Sequence, residues 1–185
     1  MAPIPFLSFR KSSLEPLPLV MSGVRMGERV LQIGVADPAL VGAIAAKVGL
    51  SGHAAVAVER ENDADKARRA AATGGALVDI SVAPLDALPL SDAAFDAIVI
   101  HPAQLSQPLG ASAGLLREAF RVLRSGGRLV VIEGSGLGFA GRPRGPAPAD
   151  ADATLAALNA AGFKSTRVLA EREGYRFIEG LKHQA

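Results

Sequence analysis

Five short apolar runs between Val30 and Ile132 alternate with helix-spaced or turn-rich stretches, and two further strand-like runs close the chain. That alternation restricts the fold more than any other feature, because each run needs cover on both faces and the intervening helices supply it. The first repeat is the sharpest. Val30, Leu31 and Ile33 stop at Gly34, where the absence of a Cβ lets the chain turn abruptly. Asp37 can accept from an otherwise unpaired amide of the helix that follows, and Pro38 suits the first helical position. Leu40, Val41, Ile44, Ala45 and Val48 then recur at helical spacing until Gly49 ends the pattern. Strand, glycine turn and helix read as the first βα unit of a nucleotide-type α/β sheet, which binds ligands at the carboxyl ends of its strands.

The later repeats follow with different edges. His53 to Val58 is a second strand ending at Glu59, and Asp63 opens a polar, Ala-rich helix to about Ala72. Residues 77–82 alternate as a strand near the sheet edge should. Pro84 to Asp92 is a loop, Phe95 to Ile100 a fourth strand ending at His101 and Pro102, and Ala113 to Leu123 a helix. A fifth strand, Arg128 to Ile132, closes at Glu133. Gly134 to Pro148 reads as a mobile surface loop, Ala151 to Ala161 as the last helix. Strands near 165–170 and 175–181 flank Glu171-Arg-Glu-Gly, a hairpin connection. Residues 1–22, Pro-rich and aperiodic, are expected to be an arm or lid, and residues 23–185 one domain. The whole is a seven-stranded α/β sheet with helices on both faces.

Composition narrows the chemistry. With no cysteine among 185 residues, disulfides, thiolate metal sites and cysteine nucleophiles are excluded, and a cytoplasmic protein is expected. No apolar run is long enough to span a membrane, so no membrane partner is expected. The net charge of +2 and a single Tyr with no Trp give nothing for nucleic acid, and Arg117, Arg121 and Arg124 read as a solvated helix face. His53 and His183 lack partners at ligand spacing, so no metal is expected.

Two stretches carry a family resemblance. Leu115-Leu-Arg-Glu-Ala-Phe-Arg-Val-Leu-Arg-Ser-Gly-Gly-Arg-Leu-Val-Val-Ile-Glu133 resembles the helix, Gly-Gly turn and fifth strand of the quinone-biosynthesis type of class I S-adenosylmethionine-dependent methyltransferase. Leu85-Asp-Ala-Leu-Pro-Leu-Ser-Asp-Ala-Ala-Phe-Asp-Ala-Ile-Val99 is similar to that family's loop after strand 3 and its fourth strand. The resemblance covers residues 24–182. It implies the Rossmann-like strand order 3-2-1-4-5-7-6 with strand 7 antiparallel, S-adenosylmethionine as cofactor and a small-molecule acceptor. It further implies that Asp86 contacts the adenine amine, that the amide of Ala87 contacts a ring nitrogen, and that Glu59 binds both ribose hydroxyls. Glu59 lies 25 residues after Gly34, a spacing that suits a ribose acid.

The glycine motif departs from the family. Where an acidic residue and Gly-x-Gly-x-Gly are usual, this chain has Gln32, Gly34, Ala36 and Pro38. Gly34 and Ala36 would line the methionine part of the cofactor, with an added methyl at Ala36, one amide fewer at Pro38 and no charge at Gln32. His101, at the carboxyl end of the fourth strand where the family places its substrate, is the candidate catalytic residue, as a base or as an aligning group. Asp96, at the start of that strand, reads as structural. The leading function is therefore methyl transfer to a small molecule. The alternative is a non-catalytic methyltransferase-like protein that binds a ligand or partner. Whether the chain forms a homo-oligomer stays open at this level.

Overall fold

The computed structural model describes residues 15–137, 142, 144 and 150–183. In chain order these form α1 (Leu17–Met21), β1 (Arg29–Ile33), α2 (Pro38–Val48), β2 (His53–Val58), α3 (Glu61–Thr73), β3 (Asp79–Val82) and β4 (Phe95–Ile100). Two 3₁₀ turns, Pro102–Gln104 and Leu109–Ala111, lead to α4 (Ala113–Val122), β5 (Leu123–Gly134), α5 (Ala151–Ala160), β6 (Lys164–Arg172) and β7 (Tyr175–Leu181). The strands make one seven-stranded sheet in the order β3-β2-β1-β4-β5-β7-β6. β1 to β5 are parallel to one another, and β7 runs antiparallel to both β5 and β6. The expected architecture and strand order are therefore observed.

Period-two alternation explains how the sheet is clad. Leu31, Ile33, Ile98, Ile100, Leu129 and Val131 belong to a core shared with Leu115, Leu116 and Ala119 of α4 and Leu158 of α5. Val30, Val99, Val130 and Ile132 point the other way, into a core with Leu40, Ile44 and Val48 of α2. Gly42 lets α2 and α3 approach closely, since a Cβ there would lie 2.9 Å from the Ala70 carbonyl oxygen.

Local signals hold where stereochemistry sets them. Asp37 caps α2 by accepting from the Ala39 amide at 3.0 Å, with Pro38 in first position and Gly49 (φ 67°) beyond its end. The closing hairpin occurs where expected but is tighter than the four-residue connection Glu171–Gly174. β6 continues through Arg172, and the chain turns through Glu173 and Gly174, both at positive φ, the geometry of a two-residue type I′ turn. β3 is half exposed, as an edge strand should be.

Other boundaries differ. α3 begins at Glu61, so Asp63 lies inside its first turn, 5% exposed, rather than opening it. The Lys66 ammonium, with Arg60 beyond it, holds the Asp63 carboxyl below the usual range against the opposing effect of burial. β5 starts five residues early, at Leu123, because the Phe95 to Ala97 bulge lets Leu123 pair with Phe95. Leu17–Met21 is a helix where no element was read, with Leu19 buried beside Val24, Leu40 and Ile44. Residues 1–14 of the expected arm, and most of the expected mobile loop 134–148, lie outside the described residues.

The arginine face is corrected at Arg121, while Arg117 and Arg124 are exposed as expected. Arg121 donates to the carbonyls of Leu88 (3.0 Å) and Leu90 (2.8 Å) and pairs with Glu118 and Asp92. It staples the 84–92 loop to α4 instead of facing solvent. Arg124 pairs with Asp96, which also accepts from the Arg29 amide at 2.7 Å, so Asp96 ties the amino ends of three strands.

Candidate active site

Parallel registry brings the strand ends of the sheet to one edge. Ile33 stands beside Ala57 and Ile100, Val58 beside Val82, and Ile100 beside Val131. Gly34, Glu59, His101 and Glu133 therefore leave the sheet on the same side, with Asp86 in the loop after β3. Gly34 is wedged there. Its amide donates to the Ala57 carbonyl at 3.0 Å, its φ is 81°, and a Cβ would lie 3.3 Å from the His101 carbonyl oxygen. Glycine is required by both the backbone conformation and the close approach.

Glu59 and Asp86 line one cavity of about 230 Å³, together with Leu85, Leu105 and Ser106. The nearby cations Arg60 and Lys66 pair with Asp63 rather than with Glu59. The exposed Glu59 carboxylate instead accepts from the Ser106 hydroxyl. Asp86 is accommodated by Gly114, where a Cβ would sit 2.7 Å from its own Cβ. The Ala87 amide donates to the Pro84 carbonyl at 3.1 Å, inside the turn. Between Gly34 and Glu59 the chain leaves only a narrow fissure of about 10 Å³, walled by Leu85 and Leu105.

A second, polar cavity of about 250 Å³ is lined by Ala36, Asp37, His101, Ser135, Arg144 and Tyr175. His101 is 2% exposed, and its Nδ1 has no partner among the described residues. Burial pulls its pKa down from 6.5 to about 4, only partly opposed by the charge of Asp37, so the ring is neutral near pH 7. Burial raises the pKa of the neighbouring Tyr175 hydroxyl.

Gln32 supplies a further orphan. Its side chain is 1% exposed and donates from Nε2 to the Gly34 carbonyl at 3.2 Å, which leaves Oε1 as a buried acceptor without a partner among the described residues. An acceptor in that place suits a protic cation such as the ammonium of the cofactor's methionine part, so the residues present fit the group. No cluster of three or more metal-ligating side chains occurs among the described residues.

Sequence reading placed Gly34, Ala36, Glu59, Asp86 and His101 at this edge, but missed Ser106, Ser135, Tyr175 and Glu133. Glu133 carried a usable signal, since it ends a parallel strand just as Glu59 does. The others reach the site only through loops or the hairpin, which no local periodicity reports.

A seven-stranded sheet of this order, with a lone antiparallel β7 and polar groups gathered at its carboxyl edge, defines the class I methyltransferase fold. The methyltransferase domain model matches residues 31–131, more than half of the chain, and the protein belongs to that family. Membership implies S-adenosylmethionine as cofactor and a second molecule as methyl acceptor. No curated protein matches the chain.

Among solved structures, it resembles a SAM-dependent methyltransferase from Aquifex aeolicus (22% identity, TM-score 0.74, covering 89% of this chain and 87% of that one). It also resembles a SAM-dependent O-methyltransferase from Thermotoga maritima (19%, 0.68, 90% and 63%). The YcgJ protein from Bacillus subtilis is similar over 91% of this chain and 97% of its own, at 15% identity and TM-score 0.63. At these identities the likeness is one of fold. Among the described residues, no helix is long and apolar enough to cross a membrane.

Proposed function

We propose that this protein transfers the methyl group of S-adenosylmethionine to a small-molecule acceptor. The observation that carries the proposal is the convergence of Gly34, Glu59 and Asp86 on one edge of the sheet, with Glu59 and Asp86 facing a common cavity. Glu59 would accept from both ribose hydroxyls, Asp86 would hold the adenine amine, and Gly34 and Ala36 would lie along the methionine part. The Ala87 amide, which donates to the Pro84 carbonyl, would reach a ring nitrogen only once that turn bond is released. Gln32 Oε1 takes the place of the absent acid. The resemblance of Leu115–Glu133 to quinone-biosynthesis methyltransferases supports a small molecule as acceptor.

When bound, the cofactor supplies an electrophilic methyl for in-line displacement, and the chain's own task is alignment. A neutral, buried His101 with a free ring nitrogen can accept a hydrogen bond from an acceptor O–H or N–H and orient its lone pair. A group with a pKa of about 4 is a weak base near pH 7, so alignment is the role this environment favours. His101→Ala is accordingly expected to slow transfer while leaving cofactor affinity intact, which single-turnover rates and calorimetry would separate.

Opening the fissure beside Gly34 requires its wall residue Leu105 to withdraw, and the adjacent Ser106 competes with the ribose for Glu59. Ser106→Ala should therefore tighten S-adenosylmethionine binding by about 2- to 10-fold, the worth of a net hydrogen bond of about 0.5–1.5 kcal/mol. Weaker binding in that variant would show that Ser106 supports the bound state instead.

The narrow fissure and the residues Ala36 and Pro38 favour one alternative, a non-catalytic methyltransferase-like binding protein. Calorimetric titration with S-adenosylmethionine and S-adenosylhomocysteine decides between them. Binding supports the enzyme. Absence of heat for either ligand at millimolar concentration would leave the non-catalytic reading.

A further inference from the structure

We infer that the hollow between the Pro102–Gly110 segment and α5 holds the body of the methyl acceptor, and that it selects an uncharged, largely apolar molecule. This inference rests on the methyl-transfer reading above. The hollow is about 480 Å³, within the usual range for a small-molecule site. It lies at the carboxyl ends of β4 and β5, and its walls include Pro102, Leu105, Pro108, Leu109 and Ala153.

Shared residues on two sides fix its relation to the rest of the site. Leu105 and Ser106 also face the cavity of Glu59 and Asp86, so the hollow abuts the proposed adenosyl site. Ser135 also faces the polar cavity of His101 and Tyr175, so a molecule seated in the hollow can extend a reactive group toward the imidazole.

The charge preference follows from Glu133, the one ionisable side chain among the described residues of the wall. Glu133 is 5% exposed, and both its oxygens are already engaged. Oε1 accepts from the Thr154 hydroxyl at 2.6 Å, and Oε2 pairs with the Arg176 guanidinium at 3.2 Å. Its charge is thus answered from within the protein, and the described residues of the wall have no further ionisable group to offer a ligand. A carboxylate, phosphate or ammonium on the acceptor body would lose hydration without gaining a partner, which is costly in an apolar enclosure. A neutral ring system or alkyl body gains from burial.

The test uses the full chain and two fluorophores with the same aryl body, neutral N-phenyl-1-naphthylamine and its sulfonated relative 8-anilino-1-naphthalenesulfonate. The neutral probe is expected to bind about tenfold or more tightly than the sulfonate and to remain bound when S-adenosylhomocysteine is saturating. Ala153→Phe, at an exposed position of α5, should fill the hollow and weaken the neutral probe about tenfold while the S-adenosylhomocysteine heat is unchanged. Gly110→Leu approaches from the opposite wall, where a Cβ would meet only the Ala153 carbonyl oxygen at 4.0 Å, and guards against misfolding of the first variant.

Equal binding of the two probes, displacement of the neutral probe by S-adenosylhomocysteine, or indifference to both substitutions would overturn the inference. If both variants lose the probe while the wild type gives no heat with either adenosyl ligand, the hollow stands as a ligand site, but its assignment to a methyl acceptor falls together with the methyl-transfer reading. If the adenosyl ligands bind and the probe ignores both substitutions, the acceptor assignment alone fails.

Discussion

Acidification from near pH 7 to about pH 4 is expected to lower the unfolding free energy by about 3 kcal/mol through His101 alone. The native ring has a pKa of about 4 because it is desolvated, against 6.5 in an exposed chain. Between those values the unfolded state binds a proton that the native state refuses, so stability rises with pH across the window and is lost as pH falls through it. Above 6.5 both states are neutral at this residue and the contribution is constant. The carboxylates held below their usual range, Glu28, Asp63, Asp96 and Glu118, act lower on the scale. The interval from about pH 6.5 to about pH 5 therefore lies above those carboxylates, and the difference between wild type and a His101 variant isolates this histidine from His53 and His183. Urea unfolding of wild type and His101→Asn across that interval checks the expectation. The wild type should lose stability relative to the variant steadily as pH falls, and parallel curves would show that His101 is solvated in the native protein.

Glu59→Ala is expected to cost about 10- to 100-fold in affinity for S-adenosylmethionine, since it deletes charge-assisted hydrogen bonds worth about 1.5–3 kcal/mol. The same substitution should leave the melting temperature almost unchanged. Glu59 sits exposed at a strand end, its observed partner is the exposed Ser106 hydroxyl, and such surface contacts add little to stability. Its effect on binding is opposite in sign to that of Ser106→Ala, which makes the pair diagnostic. Glu59→Ala with undiminished calorimetric affinity, against a wild type that binds, would falsify the ribose assignment while leaving the fold and family untouched.

Much of this site was legible because the sheet geometry does the placing. Once residues 30–33, 53–58 and 95–100 are read as parallel strands, the residues that follow them must emerge on one edge, which is why Gly34, Glu59 and His101 come together. The chemistry of those residues was less legible. Nothing local distinguishes His101, buried with an unpartnered nitrogen, from a histidine in a solvated loop before a proline. The arginines of α4 show the same limit. Helical spacing reports a common face, but only the packing of the 84–92 loop turns Arg121 into a staple.

By itself the sequence determined what depends on neighbouring residues: strand and helix order, the Gly34 turn, the Asp37-Pro38 cap and the Glu173-Gly174 hairpin, each set by backbone sterics or a bond spanning a few positions. Tertiary structure alone decided what depends on distant partners. It paired Ser106 with Glu59, set Arg176 and Thr154 against Glu133, and withdrew His101 from water. Those outcomes turn on which groups a folded chain brings within hydrogen-bond reach across tens of residues, and on how much water it removes around them.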